Sequence, residues 1–136
     1  MMTNADITIY NRKANPSTGR MEYCATVVMG VWWHTDQKVQ ILAADKGLSS
    51  ADEYKIRIPM QGRDGYLLPE KYAALPYGDH TEYWTIENGD IFLKGIHKEK
   101  IEKPSDLSKK GFLIGTVASH SENFTGLCPH IRIGGI

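Results

Sequence analysis

The stretch YWTIENGDIFLKG, Tyr83–Gly95, decides the fold class of this chain. Two runs of residues that favour β-strands flank the dipeptide Asn88-Gly89, which accepts the positive φ angles of a tight turn. The second run, Ile91–Lys94, alternates between two faces, as the side chains of a strand do. The stretch therefore predicts a β-hairpin in a small antiparallel β domain, and it contains no residue pattern that indicates a reaction.

Further runs with a period of two surround this stretch. The cleanest is Glu53–Pro59, with Tyr54, Ile56 and Ile58 predicted to point inward. Gly30 is predicted to bulge or kink the strand that runs through it. Short helices are predicted at Leu68–Pro76 and from Pro104. About seven strands separated by turns rich in glycine and proline predict a mainly β fold, a small antiparallel barrel or sandwich with one or two short helices. The other predicted strands are Ile7–Tyr10, Met21–Met29, Val31–His34, Val39–Leu42, Phe112–Ser119 and His130–Ile133.

Length and composition predict one globular domain over residues 1–136. Hydrophobic residues make up 41% and charged residues 24% of the 136-residue chain, which is typical of a folded domain. No apolar run approaches the roughly 20 residues that cross a bilayer, and the N-terminus lacks the features of a secretory signal. Cys24 and Cys128 are therefore expected as thiols in a reducing cytoplasm, with one bridge between them as the alternative.

Charge is unevenly distributed along a chain whose net charge is zero. Neutrality argues against a dedicated surface for duplex nucleic acid. Six acids and one lysine lie between Asp64 and Asp90, whereas six lysines and three acids lie between Lys94 and Lys110. These segments are either two solvated faces or oppositely charged flanks through which copies of the chain meet head to tail.

Catalytic and metal-binding patterns are weak, so the sequence predicts that the protein is no enzyme and has no cofactor and no metal. Cys128 and His130 supply two zinc ligands at most, and a tetrahedral site needs Cys24 and His120 as well. Ser119-His120-Ser121 lacks the nucleophile elbow of a serine hydrolase. A small enzyme stays open only because residues distant in sequence can form a catalytic site.

The aromatic residues leave a second class of function open. Trp32 and Trp33 are consecutive on a predicted strand, so their side chains point to opposite faces. One of them is therefore expected to be exposed or at an interface. On a five-stranded oligonucleotide-binding barrel, exposed aromatics beside lysine and arginine stack on bases. A single-stranded nucleic-acid-binding module is thus the alternative function.

The order of these features resembles that of structural proteins from the head-to-tail gene cluster of long-tailed phages and prophages of Gram-positive bacteria. Within that group the chain is similar to head-tail joining proteins, the connector, stopper or head-completion proteins. The resemblance spans most of the chain. The stretches that carry it are Asp6–Arg12, Gly30–His34, Asp52–Pro59, Gly89–Gly95 and Gly115–Ser121.

The resemblance implies a small β-barrel, monomeric when free, that works by ring assembly and docking instead of catalysis. It implies copies of itself, portal or adaptor proteins and tail-terminator proteins as partners, no membrane, and non-specific proximity to packaged DNA. Its location is the virion, and the host cytoplasm during assembly. The inserted segment Pro69–Pro76 and the tail Asn123–Gly135 depart from the group, so adaptor, stopper and tail-side neighbour stay open as its station.

Two sets of candidate site residues follow. In stopper proteins a loop projects into the channel, and the candidates here are Ala43–Asp52 and Gly62–Leu67. Within the first loop the channel residues are Lys46, Gly47, Ser49 and Ser50. The candidate interface residues are Trp32, Trp33, Lys98 and Lys100. Trp32 or Trp33 is expected to bury against a neighbour, and the acidic and basic segments are expected to set the register of the ring.

Overall fold

A computed structural model describes residues 3–37, 52–98, 100, 101, 103, 105–109 and 114–136 of the chain. Six antiparallel strands close into a barrel in the order β1-β2-β3-β6-β5-β4, and β4 pairs with β1 to complete it. The strands are β1 Ala5–Asn15, β2 Arg20–Gln37, β3 Asp52–Pro59, β4 Ile91–Lys94, β5 Ile114–Asn123 and β6 His130–Gly135. The helices are α1 Pro69–Ala74 and α2 Ser105–Lys109, with a 3₁₀ helix at Asp79–Glu82.

This architecture confirms the predicted mainly β fold and, of barrel and sandwich, shows the barrel. Both short helices form where the sequence predicts them. Pro69 occupies the first turn of α1, and the helix ends before Pro76, as expected from the missing N–H and fixed φ of proline. The predicted strand Val39–Leu42 and the candidate channel loop at 43–52 lie outside the described residues, except for Asp52, which begins β3.

The predicted hairpin at Tyr83–Gly95 is wrong, although its turn is present. The N–H of Asp90 donates to the carbonyl of Glu87 over 3.0 Å, and Gly89 has a φ of 96°. No non-glycine residue has positive φ among those described, so Asn88 does not adopt the type I′ hairpin geometry. The strand that follows pairs with β1 and β5 instead of with 83–86.

A buried side chain explains why 83–86 forms no regular strand. The amide of Asn11, on β1, accepts a hydrogen bond from the N–H of Thr85 over 3.1 Å and donates to its carbonyl over 2.5 Å. The adjacent Trp84 instead makes an isolated parallel bridge with Tyr66. The side chain of Asn11 therefore takes the place of a strand partner, and only the tertiary structure brings it to this position.

Gly30 forms the predicted bulge in the long strand β2. Ala5 pairs with Val31, whereas Ile7 pairs with Val28, so β2 carries one extra residue at this point. Gly30 has a φ of 73°, which glycine adopts without the steric cost of a Cβ. The N–H of Gly30 donates to Asp6, and Arg63 donates to the carbonyl of Gly30 over 2.8 Å. The bulge lets β2 bend from its pairing with β1 to its pairing with β3.

The barrel interior is packed around Phe92. Its ring makes edge contacts with Trp33 and Tyr54, with centroid separations of 5.7 and 5.6 Å. The predicted inward face of β3 is confirmed, since Tyr54, Ile56 and Ile58 are all buried there. The alternation of β4 is also present, but both of its faces are buried. A second apolar cluster outside the barrel covers the other face and consists of Tyr10, Ile91, Leu93, Ile101 and Leu107.

A buried lysine ties α1 to one end of the barrel, and a buried histidine lies in the neighbouring 3₁₀ helix. The ammonium group of Lys13 donates to the carbonyls of Tyr72 and Ala73, at 2.8 and 2.9 Å, and so satisfies the C-terminal end of α1. His80 is buried and accepts a hydrogen bond from the N–H of Gly78 through Nδ1. Burial lowers the pKa of this imidazole, with a further contribution from the charge of Lys13.

Candidate functional site

The outer face of β2 forms a groove that we call the lysine groove. Its floor is the side-chain row Met21, Tyr23, Ala25 and Val27, and residues 97, 98, 100, 101 and 103 lie along its side. The groove has a volume of about 1030 Å³. The inner residues of the same strand, such as Val28, pair with β1 residues that line the core, so strict alternation turns the Met21 row outward.

The sequence predicts this row as one face of a strand, but its alternation does not say which face is buried. The side chain of Met21 is 52% exposed and that of Met29, beyond the groove, is 58% exposed. Methionine is flexible and polarisable, and it is common on surfaces that adapt to a protein partner. The floor of the groove is therefore an apolar surface that is open to a partner.

Lysines lie along one side of the apolar floor. Lys98, Lys100 and Lys103 line the groove and are exposed. One acid, Glu22, also lines it. Hydrogen bonds from Tyr77 and Asn15 hold that carboxylate and lower its pKa. The groove thus combines an apolar floor with an excess of positive charge at its edge.

An exposed acidic surface lies on the segment between Gly62 and Asp90. It includes α1, the 3₁₀ helix and the turns beside them. We call it the acidic surface, and its exposed members are Asp64, Glu70, Asp79, Glu82 and Glu87. Asp90 does not belong to it, because its carboxylate is fully buried. The acidic segment of the sequence is therefore a surface feature except at its last residue.

The outer face of β2 beyond the bulge carries a second surface, which we call the tryptophan face. Trp32 pairs with Arg57 on β3, and Arg57 pairs with Arg132 on β6, so all three side chains lie on one side of the sheet. The indole of Trp32 stacks on His34 with a centroid separation of 5.6 Å and an interplanar angle of 9°. The guanidinium of Arg57 lies 5.1 Å from the indole centroid. Lys55 is the neighbouring exposed cation on β3.

The candidate interface residues divide between these surfaces. Lys98 and Lys100 lie together in the lysine groove, whereas Trp32 lies on the tryptophan face. Trp33 points to the opposite side of β2, as predicted for consecutive strand residues, and packs partly buried against the core. The structure therefore does not place the two tryptophans in one interface. Sequence reasoning missed Arg132, although its position between Ile131 and Ile133 marks it as outward-facing.

The described candidate for a projecting loop, Gly62–Leu67, lies against the barrel. Arg63 donates to the carbonyls of Pro59 and Gly30, at 2.5 and 2.8 Å. The N–H of Leu67 donates to the carbonyl of Trp84 over 2.9 Å. These bonds hold the segment against the barrel at both ends, while Gly62 and Asp64 are exposed between them, and its role as a channel loop stays a prediction. The other candidates, Lys46, Gly47, Ser49 and Ser50, lie outside the described residues.

The residues considered for catalysis and metal binding are held in other contacts. His120 bonds through Nδ1 to Asn88 over 3.0 Å and lies 3.3 Å through Nε2 from Glu122. Cys24 and Cys128 are free thiols. Within the described part of the chain, no three histidine, cysteine or acidic side chains are close enough to hold a metal ion. The proposed set of Cys24, His120, Cys128 and His130 is therefore not assembled.

Comparison with known proteins places the chain in a family whose function is unknown. A family model described as "Family of unknown function (DUF6751)" matches residues 2–136. No curated protein matches the chain, and no solved structure matches it. No helix among the described residues is both long and apolar enough to cross a membrane.

Proposed function

The chain belongs to the DUF6751 family, and from the lysine groove and the acidic surface we propose that it is a structural subunit at the head-tail joint of a long-tailed phage. It acts by ring assembly and docking, as a connector or stopper, and carries out no reaction. Its partners are copies of itself and the portal, adaptor or tail-terminator proteins on either side. The virion is its final location.

The observation that carries this proposal is the lysine groove on a chain that also exposes the acidic surface. A ring requires two different, complementary patches on each subunit, because every copy contacts its neighbours head to tail. The exposed Met21 and the partly buried Tyr23 supply the apolar contact of such an interface, and the lysines supply its charge. We place the acidic surface of one copy against the lysine groove of the next. Opposite charges then select the register and exclude groove-to-groove contacts.

Reversing two charges in the lysine groove tests this contact. In Lys98→Glu/Lys100→Glu we expect the dissociation constant for self-association to rise about tenfold at low salt, since each charge pair at a partly exposed interface contributes up to about 1 kcal/mol. The difference should shrink as salt screens the charges. Sedimentation over a concentration series, at low and high salt, measures both effects.

A matched variant makes the test specific. Glu82→Lys/Asp79→Lys reverses the acidic surface and should impair association to a similar degree when it is alone. Mixed in equal amounts, the two variants should associate again, because each reversed groove then meets a reversed acidic surface. Thermal unfolding of each variant controls for folding, since all four side chains are exposed. Association that is unchanged by either reversal would contradict the proposed contact.

Electron microscopy of a lysate from phage that lacks this gene tests whether the protein acts at the joint between head and tail. DNA-filled heads apart from finished tails, or heads that have lost their DNA, are the expected result. Complete particles in normal number would exclude the assembly role. This readout does not depend on which surface makes the ring contact.

A further inference from the structure

The tryptophan face combines cations with stacked aromatic rings, which suits a polyanion that carries planar, stacking groups. Lys55 and Arg57 on β3 and Arg132 on β6 lie on the same side of the sheet as Trp32 and His34. Arg57, Arg132 and Lys55 are all exposed there. The proposed ring contact uses none of these residues.

Two arginines lie directly opposite each other on this face. Arg57 of β3 pairs in register with Arg132 of β6, and like charges at opposed positions of an antiparallel pair destabilise a sheet. The pair therefore has a cost to the folded chain that an anion between the two guanidinium groups would remove. Arginine binds phosphate through two parallel hydrogen bonds. A phosphodiester group is one anion that such a pair recognises.

The flat groups beside the arginines give the second half of the site. The nearly parallel rings of Trp32 and His34 form one stacked row, and the guanidinium of Arg57 lies over the indole of Trp32. Nucleic-acid bases stack on tryptophan, on histidine and on arginine planes alike. Bases can do so only when they are unpaired, because those of a duplex are stacked on each other. An acidic peptide would pair with the arginines, but its carboxylate side chains would not stack on the rings of Trp32 and His34.

From this juxtaposition we propose that the tryptophan face binds single-stranded nucleic acid without sequence preference. Arg57 and Arg132 contact phosphates, and the Trp32–His34 row stacks on bases. The site is separate from the lysine groove, so the inference goes beyond the proposed assembly role and does not depend on it. The barrel has six strands, whereas the oligonucleotide-binding fold has five. The argument therefore rests on this surface and not on a likeness of fold.

Fluorescence anisotropy with a labelled oligothymidylate of about 15 nucleotides tests the proposal, since single-strand sites span roughly 4 to 16 nucleotides. We expect micromolar affinity at about 50 mM salt and much weaker binding at about 200 mM. Trp32→Ala and Arg132→Ala should each reduce the affinity about tenfold. Because each lost phosphate contact changes the salt slope by about 0.7, Arg57→Ala/Arg132→Ala should flatten the plot of log K against log salt by about 1.4.

Three controls decide between this site and its rivals. Lys98→Ala/Lys100→Ala removes two cations from the lysine groove and should leave the affinity and the salt slope unchanged. Duplex DNA of the same length and polyglutamate should both bind at least tenfold more weakly than the single strand. Arg132 is exposed and opposite a like charge, so its alanine variant should be no less stable than the wild type, and a loss of affinity reports on binding alone.

Four results would overturn the proposal. They are no binding at low salt, loss of binding in the lysine-groove variant instead of the arginine variant, equal affinity for duplex DNA, and equal affinity for polyglutamate. None of them bears on self-association, which is measured separately. Failure of this site is therefore distinguishable from failure of the proposed ring contact.

Discussion

Gly115→Ala is expected to destabilise the barrel by about 3 kcal/mol, at the upper end of the cost of overpacking a core. A Cβ atom at residue 115 would lie 2.4 Å from Cζ and 2.5 Å from Cε2 of Phe92. Gly115 on β5 is directly opposite Phe92 on β4, so the ring lies over the glycine backbone. Urea unfolding followed by tryptophan fluorescence measures the change in the free energy of unfolding.

The cost is large because the ring of Phe92 has no room to move. Phe92 is fully buried and is in contact with Trp33 and Tyr54. A Cβ at Gly135 on β6 would also lie 2.5 Å from the same ring, so the ring is enclosed by glycine backbone on two strands. Glycine at these positions permits the close approach of an aromatic ring to the barrel wall.

A neighbouring glycine supplies the matched control. At Gly134 a Cβ would lie 2.7 Å from Oγ of Ser119, which is the end of an exposed side chain that can rotate away. Gly134→Ala should therefore change the free energy of unfolding by less than about 0.5 kcal/mol. Phe92→Leu combined with Gly115→Ala should cost less than the sum of the two single changes, because the smaller side chain relieves the overlap. Equal costs at residues 115 and 134 would contradict this account.

Asp90→Ala is expected to destabilise the protein by about 2–3 kcal/mol, because it removes a buried hydrogen-bond acceptor from three donors. Oδ2 of Asp90 accepts from Asn11 over 3.0 Å and from the N–H of Glu87 over 3.1 Å. Oδ1 accepts from Nε of Arg12 over 3.3 Å. Burial raises the pKa of the Asp90 carboxyl, and these three bonds act in the opposite direction.

These bonds hold the turn between the Trp84 bridge and β4 against β1. Without the carboxylate, the N–H of Glu87 loses its side-chain partner, and Asn11 keeps only its bonds to Thr85. Asp90→Asn should recover only part of the loss, because an amide offers one acceptor oxygen where the site has donors around two. Thermal unfolding by circular dichroism, converted to free energy at a common temperature, compares the three proteins.

Asp64 is the matched control for this variant, since it is an acid of the same segment but is exposed. Asp64→Ala should change stability by no more than about 0.5 kcal/mol. A loss at Asp90 no larger than that at Asp64 would show that the buried bonds do not hold the turn.

A single protein at the head-tail joint can use both the lysine groove and the tryptophan face. In the proposed ring, the groove makes contacts between subunits, and the tryptophan face stays free for a nucleic-acid strand. The two surfaces lie on the same long strand, on either side of the bulge at Gly30. The bulge therefore separates the two proposed activities along β2.

Local sequence determined the elements of this protein. The period-two pattern of β3, the proline-bounded helix α1 and the bulge at Gly30 each follow from the preferences of the residues themselves, so they were predictable. The alternation of β2 and β4 was predictable in the same way. Which face is buried was not, because period two gives the two faces of a strand and never the location of the core.

The partners of each element were decided only by the tertiary structure. The turn at Asn88-Gly89 has the composition of a hairpin, but Asn11 binds the backbone of Thr85 from a strand more than 70 residues away. Lys98 and Lys100 meet the outer face of β2, and Arg132 meets Arg57, through pairings that no local pattern contains. Sequence by itself therefore determined which segments become strands and which side chains alternate along them. Closure of the barrel decided which surfaces exist, because a surface for binding combines residues that only long-range strand pairing brings together.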